Sequence, residues 1–486
     1  VISCAITSRV ADTGFASADI ASSSSREGTL EDCTQFPCLK VSHDIKLYSM
    51  MIEPLKNNSK VGIIGAGPAG TFFALHLMRM GFEKGLKFDI TIFDNKLFTD
   101  TGARGCNMCA GAISNTLFNN LKNLDVVIPG DVLKDKVTGY VMHLKGETGV
   151  IDVDPSISIY TVFRSAGPVF SAEKTRGFDQ VLLDYAIKEG VQFVNQRVKK
   201  VIAGAKEKIS LIFGEDGKKW EGDLLVGAFG VNSRIGENLA FGYKPPKCWS
   251  VCQTEIEVPE DFAAETIQNK IHIFSTDNPK IKYIAFTPKG KFITVTAIGK
   301  NVKRVDVENS LKEDAIASYL PINYTFKCHC HPRIPVTIAR NPFSDRFVII
   351  GDAAASRYLK NGIESSFFTG KWAASTALHH GLSSDDFKRH YYSICRRVFS
   401  KDNIYGKILF RVYDFFSNSK MVSRININMI REEQKKSDDS KVLSSVFWHL
   451  FAGDAPYAHI LHESLSLKLF VNIFKQFFRS NNAGQA

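Results

Sequence analysis

Lys60-Val61-Gly62-Ile63-Ile64-Gly65-Ala66-Gly67-Pro68-Ala69-Gly70, running on into Thr71-Phe72-Phe73-Ala74-Leu75-His76-Leu77, decides the fold. Val61 to Ile64 read as a short buried strand, the glycines as a tight turn, and the Ala- and Leu-rich run as a helix. In that context Gly65 allows the turn, Gly67 lets the backbone approach a pyrophosphate, and Gly70 lets the helix pack closely on the strand. An anion then sits at the helix N-terminus, where unpaired N–H groups and the dipole favour negative charge, beside Pro68 and Ala69. The next strand, Phe88-Asp89-Ile90-Thr91-Ile92-Phe93-Asp94, ends in a carboxylate 94 − 70 = 24 residues beyond the last glycine. That is close to the spacing at which an acid holds a ribose hydroxyl, so the stretch predicts an α/β domain that binds an adenine dinucleotide.

The chain has 486 residues, of which 44% are hydrophobic and 23% charged, enough for two or three domains with full cores. Its net charge of +11 suits anionic cofactors or lipid headgroups. No run of Lys and Arg interleaved with aromatics marks a nucleic-acid surface, so no nucleic-acid partner is expected. Ten cysteines in a chain this long do not make the dense pattern of a secreted scaffold, and reduced thiols in a cytoplasmic setting are expected. No segment offers the roughly 18 uncharged apolar residues of a transmembrane helix.

Residues 1–57, with Ser22 to Ser25 and charges of both signs, read as a disordered leader. Its acids Asp12, Asp19, Glu27, Glu31 and Asp32 argue against a mitochondrial transit peptide. Residues 58–244 form the first part of the dinucleotide domain. They include a helix opened by Arg176-Gly177-Phe178-Asp179 and closed by Gly190, and a buried strand and turn, Asp223 to Ser233. From 245 to 335 the pattern becomes alternating strands (Val251 to Val258, Lys270 to Phe274, Ile281 to Phe286, Phe292 to Ile298), an inserted antiparallel sheet and candidate substrate floor. Residues 336–385 return to the dinucleotide domain through Arg346 to Ala354 and a helix beginning near Gly362, and 386–486 are helical.

In the last helix, Lys468, Asn472, Lys475 and Arg479 oppose Leu465, Leu469, Phe470, Ile473, Phe474, Phe477 and Phe478. This is a helix packed on the body or a basic amphipathic helix on a membrane surface. The loop Asp100 to Ser114 carries Arg104, Cys106 and Cys109. Cys106-x-x-Cys109 could pair with Cys328-His329-Cys330-His331 to hold zinc, but the second group is too tightly spaced, and no metal site is expected.

Gly65-x-Gly67-x-x-Gly70, Arg176-x-Phe178-Asp179, Gly227-Ala228-Phe229-Gly230-Val231-Asn232-Ser233 and Gly351-Asp352-Ala353-Ala354, in this order, resemble the motifs of the FAD-dependent hydroxylase superfamily typified by p-hydroxybenzoate hydroxylase. Within it, Cys109-Ala110-Gly111-Ala112-Ile113 is similar to the Cys-Gly-Gly-Ala-Ile loop of the geranylgeranyl reductases. The resemblance implies a Rossmann-type (GR2) FAD-binding domain, an inserted antiparallel β-sheet substrate domain and a helical C-terminal region. It implies FAD as cofactor and places Asp352 on the ribityl or pyrophosphate side. Asn361-Gly362-Ile363 would sit near the flavin's pyrimidine edge, and Arg176, with Arg104 also among the cofactor contacts, near the pyrophosphate or adenosine half. Cys109 would lie near the isoalloxazine ring as a proton donor or positioning thiol, or as a small residue packed beneath it.

Phe229 stands where the hydroxylase pattern has Asp, leaving NAD(P)H or a protein donor as reductant. The lipid-tunnel segment Tyr-x-Trp-x-Phe-Pro-Lys of the archaeal reductases is matched by Tyr283 to Lys289, with Ala285 for Trp and Thr287 for Phe. The expected reaction is reduction of a carbon–carbon double bond in a prenyl-like or other apolar small molecule or lipid. A flavin monooxygenase and a membrane-associated electron carrier to quinone remain alternatives, the last with a peripheral membrane contact through the C-terminal helix.

Overall fold

The first strand of the quoted stretch has no polar face to offer water: from Val61 to Ile64 every residue is buried, which places it in the interior of a sheet. The computed structural model describes residues 52–107, 109–152, 157, 159–168, 175–202, 208–213, 217–259, 261–359, 361–436 and 441–482. In chain order the elements that build the site begin with β1 (Ser59–Ile64), α1 (Pro68–Glu83), β2 (Phe88–Asp94), β3 (Gly139–Leu144), β4 (Glu147–Asp152) and α2 (Phe178–Lys188). There follow β5 (Gln192–Asn195), β6 (Leu224–Gly227), β7 (Cys248–Glu257), β8 (Ile271–Phe274), β9 (Ile281–Lys289), β10 (Phe292–Gly299), β11 (Phe326–Cys330) and β12 (Phe347–Ile349). The helices α3 (Gly362–His379), α4 (Lys401–Asn418), α5 (Lys420–Glu433), α6 (Val442–Ala452), α7 (Tyr457–Ser464) and α8 (Leu467–Asn482) complete the set.

The Rossmann sheet has the order β12-β6-β1-β2-β5, all parallel, with Phe343–Ser344 added antiparallel beside β12. Helices α1 and α3 pack against each other over it. A Cβ on Gly70 would lie 2.0 Å from the Gly65 carbonyl oxygen, and one on Gly370 would lie 2.9 Å from the Phe73 nitrogen. Both contacts are possible only for glycine, as the sequence argument required of Gly70.

The second sheet runs β11-β7-β10-β9-β8-β3-β4, with Arg333–Pro335 also paired to β7. It differs from the expected self-contained sheet over 245–335 in two respects. The hairpin of β3 and β4 precedes that span, and its β3 pairs in parallel with β8, Tyr140 opposite Ile271. The sheet is therefore mixed, because the edge left open by β8 is covered by a hairpin from more than a hundred residues upstream. Its side chains alternate as strand geometry demands. Val251, Ile271, Ile273, Tyr283, Ala285 and Ile298 face the C-terminal helices, while Cys252, Phe274, Ile284, Phe286, Val295 and Ala297 face a cluster closed by Val307, Leu311 and Ile316.

Residues 386–482 are helical where described. In α8, Leu469 is buried and Ile473 packs on the same core as α5 and α6, the body-packed arrangement of the two expected, while the side chains of Phe470, Phe474, Phe477, Phe478 and Arg479 lie outside the described residues. Most of the expected leader, residues 1–51, also lies outside them. Its last part does not behave as a leader: Leu55 is buried and its N–H donates to the Ala377 carbonyl at 2.9 Å, so the apolar side chain and an open backbone acceptor on α3 order the chain from 52. Among the described helices none is long and apolar enough to cross a membrane.

Three buried histidines tie stability to pH. His272 Nε2 lies 3.0 Å from the Ile267 carbonyl, which only accepts, so Nε2 carries the proton and Nδ1 is an acceptor. His143 Nε2, 3.0 Å from that Nδ1, must then donate, leaving its own Nδ1 to accept from Thr148 Oγ1 at 3.1 Å. Burial lowers the pKa of His143 to about 3 and of His272 to about 4, and burial beneath Phe367 lowers that of His76 to about 3. The unfolded chain binds protons at these sites from about pH 6.5 downward while the folded chain stays neutral, so stability present above about pH 6.5 is lost as the pH falls. Between about pH 7.5 and pH 5 each histidine should contribute on the order of 2 kcal/mol to the loss. Denaturant midpoints at the two pH values measure it: His76→Leu should reduce the fall by that amount, and an equal fall in the variant would remove His76 as a cause.

Candidate functional site

The C-terminal ends of β1, β2 and β6 open onto a cavity of about 1140 Å³ that continues across the face of the second sheet. At its first end the glycine turn and Asp94 meet. Asp94 Oδ2 accepts from the Ala66 N–H at 2.8 Å and Oδ1 from the Lys96 N–H at 2.9 Å, which fixes the carboxylate beside the turn. Gly65, at φ +109°, leaves only 2.5 Å between a Cβ and the Ala228 carbonyl oxygen. Gly67, Pro68 and Ala69 line the cavity, and Gly67 faces Asn107 Nδ2.

A buried polar chain runs along the floor. Lys96 Nζ donates to the Cys106 carbonyl at 2.6 Å and to Asn107 Oδ1 at 3.0 Å. Asn107 Nδ2 donates in turn to Asp179 Oδ2 at 2.5 Å, and Asp179, with no exposed surface, accepts from Arg164 Nε at 2.5 Å and Nη2 at 2.8 Å. Burial works against the charge of Arg164, but the Asp179 carboxylate outweighs it and raises the guanidinium pKa.

At the middle of the cavity stand Asp352 and the N-terminus of α3. Burial raises the Asp352 pKa against the Ser356 hydroxyl and the charge of Arg164, and its Oδ1 is buried with no partner among the described residues. A Cβ on Gly362 would come within 3.0 Å of both Asp352 oxygens. No side chain caps α3: Asn361, at φ +52°, turns its Nδ2 to the Gly453 carbonyl at 2.5 Å instead, so the first N–H groups of Gly362 and Ile363 border the cavity. Glu364 in the same turn is buried, accepts from Ser114 Oγ at 2.6 Å, and has its pKa raised by burial.

Beyond that point the lining becomes apolar, with Tyr140, Val251, Ile273, Tyr283, Ala285 and Phe451 among its residues. Cys109 lies at the seam. Its Sγ is 3.4 Å from the Gly111 nitrogen, and its carbonyl accepts from Gln253 Nε2 at 3.3 Å, a bond that ties the loop to β7 of the second sheet.

Of the residues expected at the site, Gly65, Gly67, Pro68, Ala69, Asp94, Cys109, Asp352, Asn361, Gly362 and Ile363 border the cavity. Gly70 and Gly351 do not. They act through close packing instead, a Cβ on Gly351 falling 2.7 Å from that of Ala69. Arg104 is exposed, and Arg176 is 43% exposed and paired with Asp184 at 2.6 Å, so neither reaches the cavity. Arg164 borders it instead, as do Arg197, Arg234, Arg333 and Arg357, and Arg164 is held there because the Asp179 of the Arg176-x-Phe178-Asp179 motif is the buried partner and draws in the guanidinium fifteen residues before it. Gln253, Glu364 and Ser114 were also missed, since each is an ordinary polar residue whose role depends on a distant element. Among the described residues no three His, Cys, Asp or Glu side chains are placed to hold a metal ion.

The residues present fit an adenine dinucleotide: a glycine turn beside a fixed carboxylate, an uncapped helix N-terminus, and an unpartnered buried oxygen on Asp352 that asks for a donor. Comparison with known proteins gives the same fold. A family model for tryptophan halogenases matches residues 160–266. A chloroplastic zeaxanthin epoxidase of an Oncidium hybrid cultivar is 26% identical over 205 residues, 39% of this chain and 28% of that protein, so the chain spans under a third of its length. A geranylgeranyl bacteriochlorophyll reductase-like protein of Thermoplasma acidophilum superposes with a TM-score of 0.61 at 15% identity, over 84% of this chain and 99% of that one. The flavin-dependent halogenase CmlS gives 0.57 at 16% over 84% and 77%, and p-nitrophenol 4-monooxygenase of Pseudomonas putida 0.51 at 14% over 87% and 98%.

The two arginines separate by stability. Arg164→Met leaves Asp179 buried and short of its cation and should cost about 3–5 kcal/mol in denaturant unfolding, whereas Arg176→Ala, removing an exposed pair, should stay within about 0.5 kcal/mol. Similar losses in both variants would contradict the assignment.

Proposed function

We propose that this chain is an FAD-dependent oxidoreductase that reduces a carbon–carbon double bond in an apolar, prenyl-like substrate. The observation that supports this most is Cys109, held by Gln253 at the seam between a dinucleotide-fitting cleft and an apolar chamber. Asp94 would hold the adenosine ribose, the turn from Gly65 to Ala69 the pyrophosphate, and Asp352 a ribityl hydroxyl. The N-terminus of α3 would face the flavin's pyrimidine edge, where its dipole favours the negative charge of the reduced ring. When bound and reduced, the cofactor supplies hydride, with NAD(P)H or a protein donor supplying its electrons.

The chain's own residues would supply the rest. Cys109 Sγ–H would deliver the proton on the substrate side, and Glu364 keeps its proton to higher pH than an exposed carboxyl because it is buried. Ala285 and Thr287, which line the chamber at the positions of Trp and Phe in the archaeal reductases, leave room for a bulky apolar group.

The test is anaerobic reduction of the flavin-loaded protein followed by rapid mixing with a geranylgeranyl lipid. Reoxidation of the flavin by the lipid is expected, and Cys109→Ala should slow that step by about a hundredfold or more while leaving flavin binding unchanged. Reoxidation only by air, with oxygen incorporated into the substrate, would move the protein to the monooxygenases, and the halogenase and epoxidase likenesses make that the outcome to exclude. Cofactor binding is checked separately: Gly362→Ala, which crowds both Asp352 oxygens, should lower flavin retention on gel filtration, and full retention would sink the Asp352 assignment.

A further inference from the structure

Helix α4 is apolar on both sides. Its inner face buries Leu409, Phe410 and Tyr413, with Tyr413 5.4 Å from Phe451 and Phe410 6.3 Å from Tyr283 between ring centres, so it packs directly behind two residues that line the apolar chamber. The opposite side carries Ile404, Tyr405, Ile408, Val412 and Phe415, all exposed, Ile404 by 59% and Phe415 by 62%. Residues 404, 408, 412 and 415 are one helical turn apart, so they make a single stripe along the outward pole, not scattered contacts. Solvent-facing stripes of this length mark interaction surfaces.

The charges around the stripe choose the partner. Arg397 and Lys401 are exposed at its N-terminal end, and Lys407 and Arg411 along one flank. Neither carboxylate of α4 is left unpaired: Asp402 is buried, 3.7 Å from Arg357, and the partly exposed Asp414 pairs with Lys282. The outward face is thus apolar and cationic with no unpaired acid. A second copy would set these cations against one another. A bilayer with anionic headgroups accepts both features, the apolar side chains entering the acyl boundary and the long basic stems reaching back to the phosphates.

We propose that the outward face of α4 is a docking surface for an anionic lipid bilayer, with α4 lying in the interface. The inference does not depend on which reaction the flavin performs. It would bring the apolar end of the cavity to within one helix of the lipid, a short path for a substrate that partitions into membranes.

Flotation of the full chain with phosphatidylcholine vesicles, with and without phosphatidylglycerol, tests it. Binding to the anionic vesicles, weakened by salt, is expected, because exposed charge attraction is screened over about a Debye length. Ile404→Ser/Ile408→Ser/Phe415→Ser should cut partitioning at least about tenfold, and Lys407→Gln and Arg411→Gln about fivefold each. Absence of wild-type binding overturns the proposal, as does unchanged binding by the triple variant, which would place the contact elsewhere, α8 included. A triple variant that alters only the oligomeric state by light scattering also overturns it, making the stripe a self-association surface. Should the triple variant fail to fold, Phe415→Trp decides alone: a blue-shifted additional emission on anionic vesicles supports insertion, and an unshifted one refutes it.

Discussion

Asp179 carries a negative charge in a place from which water is wholly excluded, and three nitrogen donors, two on Arg164 and one on Asn107, hold it there. Two opposite charges removed from water gain little net stability over an apolar pair, but once both are buried neither can be left alone. The pair therefore acts as a positional constraint. Asp179 belongs to the first turn of α2, Arg164 to the chain leaving the strand Ile159–Val162 of a separate three-stranded sheet, and Asn107 to the loop that carries Cys109. Because Asn107 also binds Lys96, which follows the Asp94 strand end, the same constraint sets the distance between the Asp94 end of the cavity and the seam.

The second sheet depends on this frame for its placement and on its own alternation for its integrity. One set of side chains faces the cavity and the helices, the other a separate core, and both faces of β9 and β10 are buried. A strand with no solvent face has no tolerance for a register slip, which would drive every side chain into the wrong core. The neutral pair of His143 and His272 sits in such a sheet as a hydrogen bond across the parallel join of β3 and β8. It supplies a specific polar match at the junction that this sheet makes over the longest distance in sequence.

Where sequence reading succeeded, the information was local. Val61 to Ile64, Gly65 to Gly70 and Asp94 announce strand, turn, helix and strand end within about 35 residues, and the strands near 251, 281 and 292 show their alternation directly. Asp352, Asn361 and Gly362 were named by resemblance, and they border the cavity together because the turn and helix start that present them are close in sequence. The failures were all non-local. Nothing near Arg164 or Arg176 says which will find Asp179, because burial decides it and burial is a property of the assembled core. The hairpin at 139–152 looks the same from the sequence whether it joins the first domain or the second, and Leu55 reads as leader until Ala377 offers it an acceptor. Cys109 was found by resemblance, but its bond to Gln253, 144 residues away, could not be.

The contact between Asn361 and Gly453 carries a consequence for biosynthesis. Asn361 leaves the α3 N-terminus uncapped by spending its amide on a carbonyl that belongs to the turn after α6, and Arg357 reaches the same turn through Gly453 and Ala455. On the ribosome, the Rossmann strands emerge early and can pair as they appear. The contacts that hold Asn361 and Arg357 at the start of α3 cannot form until the chain past residue 455 is free, so a nascent protein has its glycine turn long before that helix start is fixed.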